Sequence, residues 1–153
     1  MEKDVMVMIG SGGICIAIVH RFGFGFGFGF GKKILLSDFN PVALDRAKKE
    51  MEAAGYSVET QVVDVTSCGS VKALAEKAAS LGNVMQVVNS AGLSSNIAPA
   101  EKILDVDLCG PAVVFEEFEN VINMIISSMA GHMTPASPIE AQNALALTPA
   151  DER

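Results

Sequence analysis

Short apolar segments alternate with helical segments along most of this sequence, and this alternation limits the folds open to the chain. Each apolar segment is five to eight residues long, which is typical of a strand buried on both faces. Strands that alternate with helices form βαβ units, and repeated units build a parallel sheet with helices on both faces. We therefore predict an α/β fold with a three-layer doubly wound parallel sheet. The predicted strands are residues 5–9, 33–38, 56–63, 84–88 and 122–127.

Capping residues and helix breakers set the predicted helix ends. Asn40 and Pro41 suit a helix start, because asparagine caps free N–H groups and proline fits the first turn. Thr66 is expected to cap the third helix in the same way. A longer helical stretch covers residues 99–121. Pro111 inside it predicts a kink or break, since proline removes a helical hydrogen bond.

The composition fits one globular domain and narrows the classes of partner. Half of the 153 residues are apolar and 19% are charged, so the chain does not resemble a disordered tail. The formal charge of −7 argues against a nucleic acid partner, because phosphate backbones attract basic surfaces. The apolar run at residues 5–19 is shorter than the ~20 residues of a membrane span, so we predict no membrane partner.

The cysteines indicate neither a disulfide framework nor a metal site. Cys15, Cys68 and Cys109 are odd in number, far apart in sequence and not arranged as a Cys-x-x-Cys pair. A disulfide framework needs pairs of cysteines, and cysteine-rich zinc sites are typically built from Cys-x-x-Cys pairs. The pattern therefore favours a reducing cytoplasm, with no bound metal.

A glycine-rich segment follows the first predicted strand and opens the first helix. It runs from Gly10 through Ser11, Gly12 and Gly13 to Ile14 and Cys15. In this context glycines allow a tight turn and a close approach to a dinucleotide pyrophosphate, which the helix N-terminus attracts. Cys15 takes the place of the third glycine of that pattern, so we expect looser helix packing and weaker cofactor binding. The alternative is an ordinary strand–helix turn.

Asp38 ends the second predicted strand. A carboxylate at this point can accept hydrogen bonds from the adenosine ribose hydroxyls, and it repels a 2′-phosphate. No arginine or lysine occurs in residues 37–40 to attract that phosphate, so the segment favours NAD over NADP. The alternative is a solvated carboxylate at a strand end.

Further motifs follow the ends of the later strands in a fixed order. The ordered set is more specific than any one motif, and it resembles the short-chain dehydrogenase/reductase family over the chain as far as about residue 131. The matching positions, in chain order, are Gly10, Gly12 and Gly13, then Asp38, then Asp64 and Val65, then Asn89, Ser90, Ala91 and Gly92, and then Ser128.

The resemblance implies a Rossmann-like sheet of strand order 3-2-1-4-5 and hydride exchange between NAD and a small alcohol or carbonyl substrate. Residues 1–131 would form the NAD-binding domain, and residues 132–153 a truncated tail. Ser128 would orient the substrate oxygen, and Asp107 stands at the family's helical asparagine position. The cofactor-binding residues implied are Gly10, Ser11, Gly12, Gly13, Ile14, Asp38, Phe39, Asp64, Val65, Asn89, Ser90, Ala91 and Gly92.

The sequence departs from the family at the group that transfers the proton. Family members use a tyrosine for this step, and a lysine four residues later lowers its pKa. The one tyrosine here, Tyr56, lies far before Ser128 in the sequence. The residue four positions after Tyr56 is Thr60 and not a lysine. We expect a chain that is C-terminally truncated and inactive by itself. The alternative function is a non-catalytic module that binds NAD or a partner.

Residues 22–31 repeat the pair Phe-Gly five times, which uses five of the eight phenylalanines. Trimming three pairs would restore the family's spacing between Cys15 and Asp38, so we interpret the tract as an expanded loop where insertions are tolerated. One alternative is a cohesive patch that binds other such repeats. Another is an exposed, aggregation-prone strand edge, since the tract contains no charged residue. We expect a homo-oligomer or an aggregation-prone chain.

Overall fold

The computed structural model of the chain describes residues 4–23, 31–122 and 125–126. Its strands form one parallel sheet in the order β3-β2-β1-β4-β5. This order confirms the predicted doubly wound α/β fold. The strands are β1 (Asp4–Ile9), β2 (Lys33–Asp38), β3 (Ser57–Val62), β4 (Asn83–Asn89) and β5 (Ile125–Ile126).

The helices connect successive strands and cover both faces of the sheet. They are α1 (Gly13–Phe22), α2 (Pro41–Ala53), α3 (Cys68–Leu81), α4 (Ala100–Leu104), a π-helical segment (Asp105–Cys109) and α5 (Gly110–Phe118). Among the described residues, no helix has both the length and the apolar character that crossing a bilayer requires.

The alternation of side chains along β1 divides the core into two layers. Val5, Val7 and Ile9 pack with apolar residues of α3 and α5, whereas Met6 and Met8 pack with those of α1 and α2. All five side chains are fully buried. A strand covered on both faces needs no polar side of its own, which is why β1 reads as one uninterrupted apolar run.

Asn40 caps α2 as predicted, but the predicted cap of α3 is wrong. The Asn40 side chain accepts hydrogen bonds from the N–H groups of the first turn of α2. At α3 the cap is Ser67, whose hydroxyl accepts from the Ser70 N–H. Thr66 instead donates from its N–H and its hydroxyl to Asp64 Oδ1, at 2.9 and 2.7 Å. Thr66 and Ser67 are adjacent, and both carry a hydroxyl that suits a helix cap. The Thr66 hydroxyl is bonded to Asp64, so the Ser67 hydroxyl caps α3.

The sequence predicts a kink or a break at Pro111, and the structure shows no break there. The helical path continues from α4 through the π-helical segment into α5, and Pro111 lies in the first turn of α5. Proline is tolerated in a first turn, and the wider π turn before it accommodates the change in hydrogen bonding. Gly110 is buried there and packs closely on Val65, since a β-carbon at this position would lie 2.9 Å from Val65 Cγ2.

The structure describes the fifth strand in part, and residues 123, 124 and 127 of the predicted strand fall outside the described residues. It comprises Ile125 and Ile126, which pair with Val87 and Val88 of β4. Ile122 lies before the strand.

Candidate functional site

A cavity of about 620 Å³ opens at the carboxyl ends of β1, β2, β3 and β4. It lies where the strand order reverses, between β1 and β4, the usual ligand position in open parallel sheets. Its walls combine the glycine loop, both strand-end aspartates, the loop after β4 and the start of the α4 path. The lining residues are Ile9, Gly10, Ser11, Gly12, Asp38, Phe39, Asn40, Val63, Asp64, Val65, Ser90, Ala91, Gly92, Leu93, Ile97, Ala98, Lys102 and Val106.

Gly10 brings the loops after β1 and β4 into direct contact. Its φ is +99°, and a β-carbon there would lie 2.8 Å from Ser90 Oγ and 2.9 Å from the Ala91 nitrogen. The Ser90 N–H and hydroxyl both donate to the Ile9 carbonyl, at 2.7 and 3.0 Å. Only glycine fits this combination of conformation and close packing.

Gly12 faces open space. A β-carbon at Gly12 would meet no atom within 4 Å, and Gly12 lines the cavity. It is the N-cap of α1, with no side-chain cap bond and no acidic residue in the first turn. A helix N-terminus of this kind favours an anionic ligand because its N–H groups and dipole are positive.

The Asp38 carboxylate is held by the backbone and by a serine. Oδ2 accepts hydrogen bonds from the Ser11 N–H and the Ser11 hydroxyl, each at 2.7 Å, and Oδ1 accepts from the Asn40 N–H at 2.8 Å. The carboxylate therefore joins the glycine loop to the end of β2. Phe39, which follows it, is 72% exposed and offers an aromatic surface at the cavity wall.

Asp64 is positioned by the turn that precedes α3. Its N–H donates to the Ser70 hydroxyl at 3.0 Å, and its Oδ1 accepts the two bonds from Thr66. The flanking Val63 and Val65 are buried and line the same wall of the cavity. This wall is apolar apart from the one carboxylate.

Asn89 and Asp107 support the cavity without lining it. Asn89 Oδ1 accepts from the Ala91 N–H at 3.1 Å, and Asp107 Oδ1 accepts from the Leu93 N–H at 2.8 Å. Asp107 lies in the π-helical segment, so this bond ties the segment to the loop after β4. Both side chains shape the loop rather than face a ligand.

Cys15 points away from the cavity into the core under α1. It is fully buried beside the apolar residues of β1 and β2. Burial, with a smaller contribution from the Asp38 charge, raises the pKa of the thiol to about 12. Cys15 is therefore a neutral packing residue near neutral pH.

Of the cofactor-binding residues implied by the sequence, ten line the cavity and three do not. Gly13 and Ile14 lie in the first turn of α1 outside the lining, and Asn89 stands behind the loop. Ser128 lies outside the described residues. The ten are Gly10, Ser11, Gly12, Asp38, Phe39, Asp64, Val65, Ser90, Ala91 and Gly92.

Sequence reasoning missed the wall formed by the α4 path. Ala98, Lys102 and Val106 recur every four residues, a spacing that places side chains on one helical face. That spacing was the available signal, but it did not indicate which face would meet the cavity. Lys102 is the one basic side chain among the lining residues.

Tyr56 lies at the other edge of the sheet. It precedes β3, whereas the cavity begins where β3 ends, and six residues of strand span about 20 Å. Its ring packs edge-to-face on His20, whose Nδ1 lies 3.1 Å from the Tyr56 hydroxyl. Tyr56 cannot reach a ligand in this cavity. In the described part of the chain, no three histidine, cysteine or acidic side chains converge on a metal-sized site.

The chain resembles known proteins in sequence and in structure. It is 41% identical over 137 residues to a curated protein of Alternaria brassicicola named short-chain dehydrogenase/reductase bsc3, an alignment that covers 86% of this chain and 48% of that protein. The chain thus spans about half the length of this relative. No protein-family model matches the sequence.

Two solved structures show the same arrangement of the sheet and helices. A short-chain dehydrogenase/reductase of Burkholderia phymatum in complex with NAD is 25% identical, with a TM-score of 0.70 over 95% of this chain and 56% of that one. A metagenomic short-chain oxidoreductase in complex with NADP is 26% identical, with a TM-score of 0.69 over 88% of this chain and 66% of that one.

Proposed function

The chain belongs to the short-chain dehydrogenase/reductase family, and from this premise we propose that its cavity binds NAD(H) for hydride exchange with a small alcohol or carbonyl compound. The observation that carries the proposal is the cavity itself. It opens at the reversal of strand order, with the open backbone of Gly12 on one side and the Asp38 carboxylate on another. Residues 1–131 are the proposed NAD-binding domain.

The cavity residues suit the parts of a dinucleotide. Gly12 has space where a pyrophosphate needs backbone contact, and Asp38 keeps one acceptor position for a ribose hydroxyl. Phe39, Val63 and Val65 provide the apolar surface that an adenine ring requires. When bound, the nicotinamide supplies the hydride acceptor or donor. The protein's part is to bind and orient it.

We propose that NAD is preferred over NADP. A 2′-phosphate next to Asp38 would place two negative groups together, and the segment from Ser37 to Asn40 contains no basic side chain to offset them. Lys102 is the one basic side chain among the lining residues, and it belongs to the α4 wall rather than to the segment from Ser37 to Asn40.

The three cysteines are free, in keeping with the reducing cytoplasm proposed for this protein.

A second candidate function is a non-catalytic NAD-binding module. Tyr56 is the single tyrosine of the sequence, and its position at the opposite edge of the sheet favours this alternative. The described residues therefore place no phenol beside the cavity to transfer a proton. Asp107, at the family's asparagine position, uses its carboxylate to hold the Leu93 N–H.

The direct test is calorimetric titration of the folded chain with NAD and with NADP. We expect NAD to bind more tightly than NADP, and Asp38→Ala to weaken NAD binding by about tenfold or more, because a charge-assisted hydrogen bond is lost. Asp45→Ala is the matched control. It also removes an aspartate, but one on the exposed face of α2 that pairs with Lys49. Failure of NAD to bind a folded chain would refute the proposed site.

A turnover assay separates the two candidate functions. The enzyme hypothesis predicts NADH formation from at least one member of a panel of secondary alcohols. NAD binding without any turnover would favour the non-catalytic module. The calorimetric titration tests the proposed NAD site in either case, because dinucleotide binding does not depend on the proton-transfer group.

A further inference from the structure

Three donors hold the Asp38 carboxylate in the protein itself. The Ser11 N–H and hydroxyl both bond Oδ2 at 2.7 Å, and the Asn40 N–H bonds Oδ1 at 2.8 Å. An ionised carboxylate offers about four acceptor positions, two on each oxygen. Oδ2 is therefore saturated by Ser11, and one position on Oδ1 is left for a ligand.

The Ser11 hydroxyl joins two separate cofactor-facing elements. Ser11 belongs to the glycine loop after β1, and Asp38 ends β2, 27 residues later in the chain. Ser11 is 4% exposed and Asp38 is half-buried, so the bond between them is partly shielded from water. Hydrogen bonds to an ionised acceptor are shorter and stronger than neutral ones, which suits a fixed contact.

We propose that Ser11 is a positioning residue that sets cofactor choice by acting through Asp38. Its hydroxyl fixes the carboxylate in one orientation on the cavity wall, with one acceptor position on Oδ1 for a ribose hydroxyl. This inference rests on the proposed NAD site. It goes further because it assigns the discrimination between NAD and NADP to the Ser11–Asp38 pair rather than to the Asp38 carboxylate alone.

The two cofactors differ in how much they depend on this orientation. The adenosine ribose of NAD has free hydroxyls that can donate to Oδ1. In NADP the 2′-oxygen carries a phosphate that is repelled by the carboxylate, and only the 3′-hydroxyl remains as a donor. Loss of the orientation should therefore weaken NAD binding and leave NADP binding nearly unchanged. A preorganised acceptor binds more tightly because no freedom is lost when the ligand arrives.

The test is titration of Ser11→Ala, Ser11→Thr and the unmodified chain with NAD and NADP. We expect Ser11→Ala to raise the Kd for NAD about tenfold and the Kd for NADP less than threefold. The ratio of the Kd for NADP to the Kd for NAD, which measures the preference for NAD, should therefore fall. Ser11→Thr keeps the hydroxyl and should retain the ratio. The matched control is Ser37→Ala, which removes another buried hydroxyl, one that bonds the Met8 carbonyl and does not touch the carboxylate.

Three results would overturn the inference. Equal weakening of both cofactors would mean that Ser11 only supports the fold of the loop. Tighter NAD binding by Ser11→Ala would mean that the hydroxyl competes with the ribose for Oδ2. An unchanged Kd for NAD would mean that the carboxylate needs no serine to hold it.

Urea unfolding of the apo chain separates this inference from the proposed function. A double-mutant cycle of Ser11→Ala and Asp38→Ala should give midpoint shifts that are not additive, because the residues share one interaction. Additive shifts would refute the pair whatever the chain binds. If the shifts are coupled but no dinucleotide binds, the pair exists, while its role in cofactor choice fails together with the proposed site.

Discussion

Gly10 and Gly12 lie in the same loop but meet different surroundings. Gly10 has a positive φ and packs against the loop after β4, whereas Gly12 borders open space in the cavity. The structure therefore separates a glycine required by the fold from one that leaves room for a ligand. The sequence motif predicts the same division, a tight turn at the first glycine and a close ligand approach at the second.

We predict opposite effects for alanine at these two positions. Gly10→Ala should lower the free energy of unfolding by more than about 2 kcal/mol, since it combines strained backbone with close contacts to Ser90 and Ala91. Gly12→Ala should change stability by less than about 1 kcal/mol, yet weaken NAD binding by at least tenfold. Urea unfolding and NAD titration measure the two effects. Similar stability losses in both variants would contradict this division.

Cys15 makes stability depend on alkaline pH. Its folded pKa of about 12 lies above its ordinary value of 9.0, because burial and then the Asp38 charge disfavour the thiolate. The full stability is present below pH 9. Above it, the unfolded chain releases the proton while the folded chain keeps it, so stability falls by up to about 1.4 kcal/mol per pH unit towards pH 12.

The comparison with Cys15→Ala isolates this effect. We expect the unfolding free energy of the unmodified chain to fall more steeply from pH 8.5 to pH 10.5 than that of Cys15→Ala. Tyr56, whose pKa burial also raises, contributes the same slope to both proteins. Parallel curves would show that the Cys15 thiol ionises equally in both states.

At the scale of elements, the Phe-Gly tract lies in the sequence between α1 and β2, and residues 24–30 of it fall outside the described residues. The Lys32 N–H donates to the Gly23 carbonyl at 3.0 Å, so the two ends of the connection meet. Gly23 itself must be glycine, because a β-carbon would lie 2.6 Å from the Val19 carbonyl oxygen. Gly23 of the first Phe-Gly pair and Lys32 after the last pair therefore hold the two ends of the connection together.

Deletion of residues 24–29 should therefore preserve the fold. It removes three Phe-Gly pairs and leaves two residues between Gly23 and Lys32, so their hydrogen bond becomes that of a four-residue β-turn. Shortening the loop from eight residues to two should stabilise the chain by about 1 kcal/mol through loop-closure entropy. Thermal unfolding measures this. Deletion of residues 24–30 is the control, since a single remaining residue cannot form that turn and should destabilise the chain.

At the scale of the whole molecule, the helical path after β4 presents an apolar surface. Leu104, Leu108 and Phe115 are 53%, 41% and 43% exposed, and all three lie on this helical path. Contiguous exposed apolar surface favours association. The net charge of −7 opposes association, and salt screens that repulsion.

We predict that the chain self-associates through this surface. Sedimentation velocity should show oligomers that become more populated as salt rises, and Phe115→Glu should shift the population towards monomer. Val42→Glu is the matched control, because Val42 is 78% exposed on α2, away from the α4–α5 path. A monomeric unmodified chain at all concentrations would contradict the prediction, and equal dissociation by both variants would point to charge alone.

The layers of the fold could be predicted from the residues themselves, whereas the order of the sheet was predicted from the resemblance to the family. Buried parallel strands need continuous apolar runs, and helices need apolar residues at helical spacing, so both kinds of element are visible in short windows. The glycine loop and Asp38 were predictable too, because parallel strands bring their carboxyl ends to one edge, and the Asp64-Val65 pair was predicted from the resemblance.

The tertiary structure decided which groups meet at that edge. The bond from Ser11 to Asp38 spans 27 residues, and that from Leu93 to Asp107 spans 14. Neither leaves a periodic trace in the sequence. The contribution of Lys102 to the cavity, the choice of Ser67 as the α3 cap and the continuous helix through Pro111 likewise depend on packing or on local competition for hydrogen bonds. Periodicity reports which side chains are buried, whereas a site depends on which elements the buried faces bring together.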